Sequence, residues 1–596
     1  MRSAARRWDW AVVGALTAAA ALLRSWSLSK VSPDPFYDAA VRSMTLSLHN
    51  FFFGAFEPGG SVSIDKPPVD LWLQVASVKL FGFSSTTLKI PEVVAGTLSV
   101  PLLFAAVRRM WSRGAGIAAA AAMAILPIEV ITARSDTMDA VMMALVVVAL
   151  LLLVRAVETD RTGWLLGAAA ALGLAFNVKL LESLVALPGL LVFAYAGLRG
   201  THPRRVLRVL AAGAVFVVVS LSWLTATLVV PKSERPWAIG STNGSAWNAA
   251  FVFNGTERLS GRSPEPGGSV FQPGHHYREA TQEQRNDIPI VPPSATRLLE
   301  RIGPLSGQRL GIELLLALLL GLPAFALSLR GGSAAREREE ATAHDARDPV
   351  AVVRMRRASA AGLIVWLACG IVLFSHMARL HPRYVEGFTP AVAATLGIGV
   401  AWATTTRGWA RLAVLGISLA VTVYYTERLL YGTPATWWIV VLAALAGGAL
   451  ALVGEVVLGG PKVREPAALA GAAALVLVLV AVLAVPFGAD VTAIEEHVTD
   501  AGYVGALPSE EQRLVSAYLR EHQGSARYEV AAESATQIGS LVVQDARPIL
   551  VLSTYNGRVF TNVPELQHAV AKGEVRYAFL NSYCPKRPSS TNAACS

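Results

Sequence analysis

The stretch AVMMALVVVALLLLV, residues 140–154, is uninterrupted apolar sequence between Asp139 and Arg155. A helix needs about 20 mostly apolar residues to cross a bilayer, so this stretch and its flanks predict a span over 138–156. Similar stretches elsewhere bring the prediction to about 13 spans. They cover 9–28, 90–108, 115–133, 138–156, 163–178, 181–198, 206–230, 309–329, 358–376, 385–404, 410–427, 435–458 and 466–486. The predicted fold class is an α-helical polytopic membrane protein.

The overall composition favours the same class. Of the 596 residues, 53% are hydrophobic and 16% are charged, whereas soluble domains contain about 25% charged residues. The net charge of +10 does not indicate nucleic-acid binding, because the basic residues cluster in short connections, as the positive-inside rule predicts. These connections, assigned to the cytoplasm, are 2–7, 108–113, 155–161, 199–208, 330–357, 407–411 and 462–464.

The span count and the charge pattern together predict the topology. An odd number of spans puts the N-terminus in the cytoplasm and the C-terminus outside the cell membrane. The long connections 29–89 and 231–308 then become the first and the second large outer loops. The apolar run Trp10–Leu23 is interpreted as a retained first span, because no small-residue cleavage site follows it before Ser25.

A second domain is predicted at the C-terminus. Residues 1–487 form the transmembrane domain, and residues 488–596 change sharply in composition. Strand-like and helix-like pieces indicate a small extracytoplasmic α/β domain. The strand-like pieces are Tyr528–Ala531, Pro548–Ser553 and Val575–Leu580, and the helix-like pieces are Ser509–His522 and Val563–Ala571.

The cysteines point to no metal site. None of the three lies in a Cys/His cluster with zinc-site spacing. Cys369 lies within an apolar run and is expected to be packed and inert. Cys584 and Cys595 flank a polar tail, where an extracytoplasmic location allows a disulfide.

The first outer loop carries candidate catalytic residues. Asp34 follows the first span, where a carboxylate can take a proton from an acceptor hydroxyl. Lys66, beside Asp65, can bind a phosphate as a point charge. A pair of ordinary loop charges is the alternative interpretation. The loop is too long and too apolar for a simple connector, which predicts amphipathic helices at the membrane interface.

A second acidic stretch, Arg134–Asp139, lies at the outer mouth between the third and fourth spans. Asp139 falls in the first turn of the fourth span, and Asp136 is a candidate cap for that helix. Helix capping is a sufficient explanation for one of the two carboxylates. Two carboxylates and an arginine together at the outer ends of these spans nevertheless favour a functional site.

Several cations break the positive-inside rule on the outer side. They are Lys179, at the end of the fifth span, and Arg379, His381 and Arg383, which precede Tyr384. We expect them to converge with Lys66. Cations at one membrane depth, facing a carboxylate, suit a lipid-linked phosphate leaving group.

Four segments carry a resemblance to a known family. They are Phe36–Met44 with Asp65–Pro68, Arg134–Asp139, Arg235–Thr242 running into Phe253–Gly261, and His381–Tyr384; Gly573–Tyr577 adds a fifth piece. In their order and spacing the chain resembles the polytopic glycosyltransferases of the C fold, specifically family 39. That family includes protein O-mannosyltransferases and lipid A aminoarabinose transferases, with a bacterial mannosyltransferase-like branch that carries an extracytoplasmic C-terminal domain.

The resemblance implies an inverting transfer of a sugar, mannose by default, from a polyprenyl phosphate. Asp34 matches the acid that serves as base, and Lys66 matches the lysine at the donor phosphate. The usual Asp-Glu pair of the family is Asp34-Pro35 here, so Asp38, Asp136 or Asp139 remain alternative or additional bases. Arg383 stands where the branch often has an aromatic residue.

The remaining site residues are assigned on the basis of this resemblance. Lys179, His381 and Arg383 are assigned with Lys66 to the donor phosphate. Tyr37, Asp38, Asp65, Tyr384 and Asn254 are assigned to the acceptor and the cavity. No metal or other cofactor is required if Lys and Arg supply the charge, although use of a divalent metal stays open. The acceptor can be a protein hydroxyl, a glycolipid or a wall polymer, and membrane lipids are the other partners.

Two other classes of function compete with an enzyme. A lipid or sugar transporter usually keeps charges or broken helices near the bilayer midplane, whereas here the conspicuous charges gather at the outer ends of the spans. A receptor or scaffold explains the C-terminal domain but leaves the charges of the first loop without a role. The sequence therefore favours a glycosyltransferase.

Overall fold

The structure is a computed structural model. It describes residues 2–261, 293–299, 310, 312–328, 348–378, 380–429, 434–457, 464–500, 509–554 and 559–579. Several predictions fall outside these residues: the Cys584–Cys595 disulfide, Arg379, the strand end at Leu580, and most of the basic connection 330–357.

Each of the 13 predicted spans corresponds to helical structure. Ten described helices are long and apolar enough to cross a membrane, and three shorter apolar helices occupy the other predicted positions. The bundle helices are α1 (Arg2–Ser25), α5 (Ser85–Met110), α6 (Arg113–Ile125), α7 (Pro127–Thr132), α8 (Asp139–Thr159), α9 (Thr162–Lys179), α10 (Leu187–Gly197), α11 (His202–Val229), α14 (Ile312–Leu316), α15 (Leu322–Ser328), α16 (Pro349–His376), α17 (Thr389–Thr405), α18 (Trp409–Leu429), α19 (Pro434–Val456) and α20 (Arg464–Glu495). The protein is a multi-pass membrane protein; the orientation of its termini stays a prediction.

Small residues let the bundle helices approach closely. A Cβ at Gly397 of α17 would lie 2.4 Å from the backbone nitrogen of Ala119 in α6. A Cβ at Gly189 of α10 would lie 2.5 Å from the carbonyl oxygen of Gly362 in α16. Membrane helices use such residues because lipid supplies no hydrophobic driving force between them, so association depends on close packing.

The first outer loop is folded. It contains α2 (Pro35–Met44), α3 (Leu48–Phe53), α4 (Val69–Phe81) and the short strand β1 (Val62–Ser63). Strand β1 pairs in parallel with β2 (Trp237–Ala238) of the second outer loop, which continues through α12 (Ala246–Asn248), a π-helical turn (Ala249–Thr256) and α13 (Glu257–Ser260). The two outer loops are thus joined by backbone hydrogen bonds.

The C-terminal residues form the expected α/β unit. Strands β3 (Ala531–Ser534), β4 (Leu550–Ser553) and β5 (Ala578–Phe579) make a parallel sheet in the order β4-β3-β5. Helices α21 (Ser509–His522) and α23 (Val563–Ala571) have the predicted bounds, whereas α22 (Gly539–Asp545) was not predicted. Helix α20 continues to Glu495 before this unit begins.

Candidate active site

Helix α2 positions the first candidate carboxylate. Asp34 caps α2, since its carboxylate accepts the N–H of Phe36 at 3.1 Å, and Pro35 occupies the first helical position. This combination favours a helix start, because the cap satisfies an orphan N–H and proline has none to leave unpaired. The backbone N–H of Asp34 donates to Asp136 Oδ2 at 3.2 Å. The first outer loop therefore meets the second acidic stretch at Asp34.

Three buried groups surround Asp34 on this side of the site. Lys89 Nζ lies 3.8 Å from Asp136 Oδ2, and both side chains are fully buried. Asp38, one turn along α2, is also buried. Burial first, and then the neighbouring carboxylate of Asp136, raises the pKa of Asp38 well above its usual range. Asp38 is therefore expected to be neutral.

The capping role expected for Asp136 is wrong. The N-cap of α8 is Met138, which has φ 68° and makes no side-chain capping bond. The left-handed turn at Met138 separates Asp136 from the start of α8, and the carboxylate of Asp136 accepts the N–H of Asp34 instead.

A buried group of cations lies beside these carboxylates. Lys66 Nζ contacts Asp65 Oδ2 at 2.8 Å and the hydroxyl of Tyr37 at 3.2 Å. Arg258 Nη2 lies 3.7 Å from the same Asp65 oxygen, and Arg258 Nη1 donates to the hydroxyl of Tyr384 at 2.5 Å. Asn254 holds this arrangement, because it donates to the carbonyl of Asp65 at 2.8 Å and accepts from Arg258 Nε at 2.9 Å.

The other cations of the cluster gather around Asp139. Lys179 forms a buried ion pair with Asp139 and lies 3.5 Å from Glu182. Arg383 Nε lies 3.9 Å from Asp139 Oδ2. The Tyr384 ring joins the two halves of the cluster, since Lys179 Nζ lies 5.4 Å and the Arg258 guanidinium 5.7 Å from its centroid. Both distances fit cation–π contacts.

Burial and neighbouring charges change the pKa values of three side chains in the first outer loop. It lowers the pKa of Lys66 to about 8, although Asp65 partly compensates. Burial alone would raise the pKa of Asp65, but Lys66 and Arg258 outweigh it and lower that pKa. Burial, with the Asp65 charge, raises the pKa of Tyr37 well above its usual value. At neutral pH the loop therefore presents a protonated lysine, an ionised aspartate and a neutral tyrosine.

The structure brings the residues predicted from sequence into two adjoining groups. The acidic group contains Asp34, Asp38 and Asp136. The cationic group contains Lys66, Lys179 and Arg383 with Asp65, Asp139, Asn254, Tyr37 and Tyr384, and the ring of His381 lies 5.1 Å from that of Tyr384. Tyr37 connects the groups, since it precedes Asp38 and contacts Lys66.

Sequence reasoning missed three members of the site: Arg258, Glu182 and Lys89. Arg258 had a detectable signal, because it follows Asn254 by four residues, which places both on one face of a helix. Lys89 and Glu182 gave no comparable signal. Among the described residues, no group of three or more His, Cys, Asp and Glu side chains is arranged to hold a metal ion.

The fold places this protein in the class of multi-pass membrane proteins with the C fold of glycosyltransferases. The structure is similar to the crystal structure of ArnT from Cupriavidus metallidurans bound to undecaprenyl phosphate, with a TM-score of 0.50 and 16% identity. The similarity covers 97% of this chain and 90% of that one. At this identity the likeness concerns the fold alone.

Sequence comparisons agree with this class. Residues 65–223 match the family described as "Dolichyl-phosphate-mannose-protein mannosyltransferase", and residues 515–594 match "Putative mannosyltransferase YkcB-like, C-terminal". Two Bacillus subtilis (strain 168) proteins are similar over part of the chain. "Putative mannosyltransferase YycA" is 36% identical over 258 residues, 43% of this chain and 38% of the relative. "Putative mannosyltransferase YkcB" is 34% identical over 230 residues, 39% and 32% of the two chains.

These matches confirm the resemblance to polytopic C-fold glycosyltransferases that the sequence motifs indicated. The chain spans about a third of the length of the curated relatives that it matches. The first family match begins at Asp65 and includes Lys66, Asp136, Asp139 and Lys179, whereas Asp34, Arg258 and Arg383 lie outside it.

Proposed function

We propose that this protein transfers a sugar, mannose by resemblance, from a polyprenyl phosphate to a hydroxyl acceptor, with inversion at the anomeric carbon. The observation that carries the proposal is the buried cluster of Lys66, Arg258, Lys179 and Arg383 around Tyr384, next to the carboxylates at the start of α2. A phosphate leaving group needs cations, and an attacking hydroxyl needs a base. This site offers both.

The charges in the cationic group suit a phosphodiester. Its four cations are accompanied by three carboxylates, Asp65, Asp139 and Glu182. The cations outnumber these carboxylates, which leaves positive charge for the single negative charge of a polyprenyl-phosphate sugar. The carboxylates also hold the cations in place before the donor binds, so little reorganisation is needed during the reaction.

The reaction follows as a single displacement. The acceptor oxygen forms a bond to the anomeric carbon while the bond from that carbon to the phosphate oxygen breaks. The acceptor proton passes to a carboxylate, for which we propose Asp34. The polyprenyl phosphate leaves with a second negative charge, which Lys66, Arg258, Lys179 and Arg383 stabilise.

The other carboxylates suit supporting roles better than the role of base. Asp38 is expected to be neutral, and a protonated carboxyl cannot accept a proton. Asp139 is engaged by Lys179 and Arg383. Asp136 accepts the backbone N–H of Asp34 and lies beside Lys89. Asp34 is thereby held at the start of α2 by its neighbours.

Sugar release from radiolabelled polyprenyl-phosphate mannose, by the purified protein in lipid, tests the proposal. We expect turnover by the wild type and a loss of about 10²-fold or more for Asp34→Asn. Asp160→Asn is a matched control, because Asp160 lies at the opposite end of α8 in a left-handed conformation that asparagine tolerates. No turnover with any lipid-linked sugar would overturn the proposal. Equal turnover by wild type and Asp34→Asn would move the base to another carboxylate.

A further inference from the structure

Helix α2 is covered on two sides. Tyr37, Ala40 and Val41 belong to the core of the membrane bundle. Ala39 belongs to a second apolar cluster, which it shares with Leu541 of α22. The helix that Asp34 caps is therefore a layer between the bundle and the C-terminal α/β unit.

The two helices approach closely next to Asp34. A Cβ at Gly539, the first residue of α22, would lie 2.6 Å from the carbonyl oxygen of Pro35 and 2.8 Å from its carbonyl carbon. No side chain fits at this distance unless the two helices move apart. Restoring ordinary contact at 3.4 Å requires a shift of about 0.8 Å between α22 and the start of α2.

A buried carboxylate makes a second connection. Glu57, in the first outer loop, is completely buried. Its carboxylate accepts the N–H of Gly59 at 2.6 Å and of Ser61 at 2.6 Å, and also the N–H of Ile549 at 3.3 Å. Ile549 precedes strand β4 of the C-terminal unit, so one side chain both shapes the loop and binds the other domain.

The segment that leads into the C-terminal unit contacts the second acidic stretch. Ser135 Oγ accepts the N–H of Asp500 at 3.0 Å and lies 2.9 Å from the hydroxyl of Thr499. Arg383 Nη1 donates to the carbonyl of Asp500 at 2.6 Å. The segment that follows α20 is thus attached to a neighbour of Asp136 and to one of the site cations.

We propose that the C-terminal α/β unit is a positioning element for the transfer reaction. Through Gly539 it contacts the start of α2, and through Ile549 it binds Glu57, whose neighbour Phe56 packs on Phe36 of α2 with ring centroids 5.1 Å apart. The segment that precedes the unit binds Arg383 through Asp500. Gly539 and Glu57 are positioning residues, because they act through Asp34 and do not touch the donor. This inference rests on the proposed function. A misplacement of about 1 Å in a catalytic group can reduce the rate about 10²-fold, and the shift that a side chain at Gly539 demands is of that size.

Gly539→Ala in the full-length protein in lipid is the test, with polyprenyl-phosphate mannose as the probe. We expect kcat to fall about 10- to 100-fold, while KM for the donor changes by less than about twofold, since Lys66 and Arg258 are outside the interface. The pH–rate profile should also change shape. A variant that merely contains less folded protein would scale the profile without altering its shape.

Two further variants complete the experiment. Gly488→Ala is the matched control, because a Cβ there meets nothing within 4 Å; it should match the wild type. Glu57→Gln keeps the side-chain size but replaces one acceptor oxygen by an amide NH2 group, and it should also lower kcat. It provides the test if Gly539→Ala does not fold. Wild-type kcat and pH profile in folded Gly539→Ala, or in Glu57→Gln, would overturn the inference. Absence of turnover in the wild type would overturn the proposed function, and this inference with it.

Discussion

The protonation of Lys66 offers a sharp test of the donor site. Burial lowers the pKa of this lysine to about 8, and only the charged form stabilises a phosphate leaving group. With that pKa, about half of the lysine is charged at pH 8 and about a tenth at pH 9. We therefore expect kcat/KM for polyprenyl-phosphate mannose to fall about fivefold between pH 8 and pH 9.

The decline should not reflect unfolding. The pKa of Lys66 is lower in the folded protein than its ordinary value of 10.5, so the unfolded chain binds more protons between pH 8 and pH 10.5. This group therefore makes the free energy of unfolding rise with pH over that window. Thermal unfolding in the assay buffers separates the two effects, since activity should fall while the contribution of Lys66 to stability does not.

Lys66→Arg provides the control for the assignment. Arginine remains charged throughout this range, so the alkaline decline should disappear even if the overall rate is lower. Tyr37, which contacts Lys66, should not contribute, because its pKa is raised well above its usual value. An alkaline decline that persists unchanged in Lys66→Arg, or a wild-type profile that is flat beyond pH 9, would refute the reasoning.

Three further predictions concern separate parts of the molecule. Arg258→Ala should lower kcat/KM about 10²- to 10³-fold. Arg258→Lys should recover only part of the lost activity, because one ammonium group cannot donate to both Asn254 and Tyr384. Full activity in the alanine variant would exclude a role for Arg258. Burial, aided by Asp545, raises the pKa of Glu529 to about 8, so this group makes the protein less stable as pH rises from about 4.5 to 8. Glu529→Gln should flatten that dependence in thermal unfolding, and an unaltered slope would contradict the assignment. Gly397→Ala should destabilise the bundle by about 1–3 kcal/mol through overpacking, whereas Gly213→Ala, which meets nothing within 4 Å, should not lower the temperature of thermal unfolding.

The spans were predictable because a helix that crosses the bilayer needs one continuous run of about 20 mostly apolar residues. A long apolar run such as 140–154 has to cross the membrane or be buried in protein, and it forms most of α8. The details inside a span depend on local chemistry. The predicted span 115–133 is divided into α6 and α7 at Leu126, where Pro127 begins the second helix. Proline is favoured at a first helical position and disfavoured within a helix, so the break has a visible cause in the sequence.

The surroundings of α2 were not predictable in the same way. Its apolar residues indicated an amphipathic helix at the membrane interface, but Ala39 belongs to an apolar cluster with residues of the C-terminal unit such as Leu541, which is 502 positions away. A sequence pattern shows that a face is apolar without showing what covers it. The ion pairs posed the same difficulty, since Asp139 and Lys179 are 40 residues apart and meet only through the packing of α8 on α9.

The roles of the carboxylates follow from their partners, and sequence alone could not distinguish them. Asp65 and Asp139 are both engaged in ion pairs with cations. Asp38 lies beside Asp136, and burial together with that carboxylate raises the pKa of Asp38. Where neighbouring acids have such different surroundings, their protonation states diverge, and so do their chemical roles. Under the proposed mechanism, the acids beside cations organise the phosphate site, Asp38 and Asp136 support the start of α2, and Asp34 accepts the proton. Asp38→Asn tests this division: an amide replaces a carboxyl that is already neutral, so activity should be largely retained, and a loss as large as that of Asp34→Asn would assign the base to the pair instead.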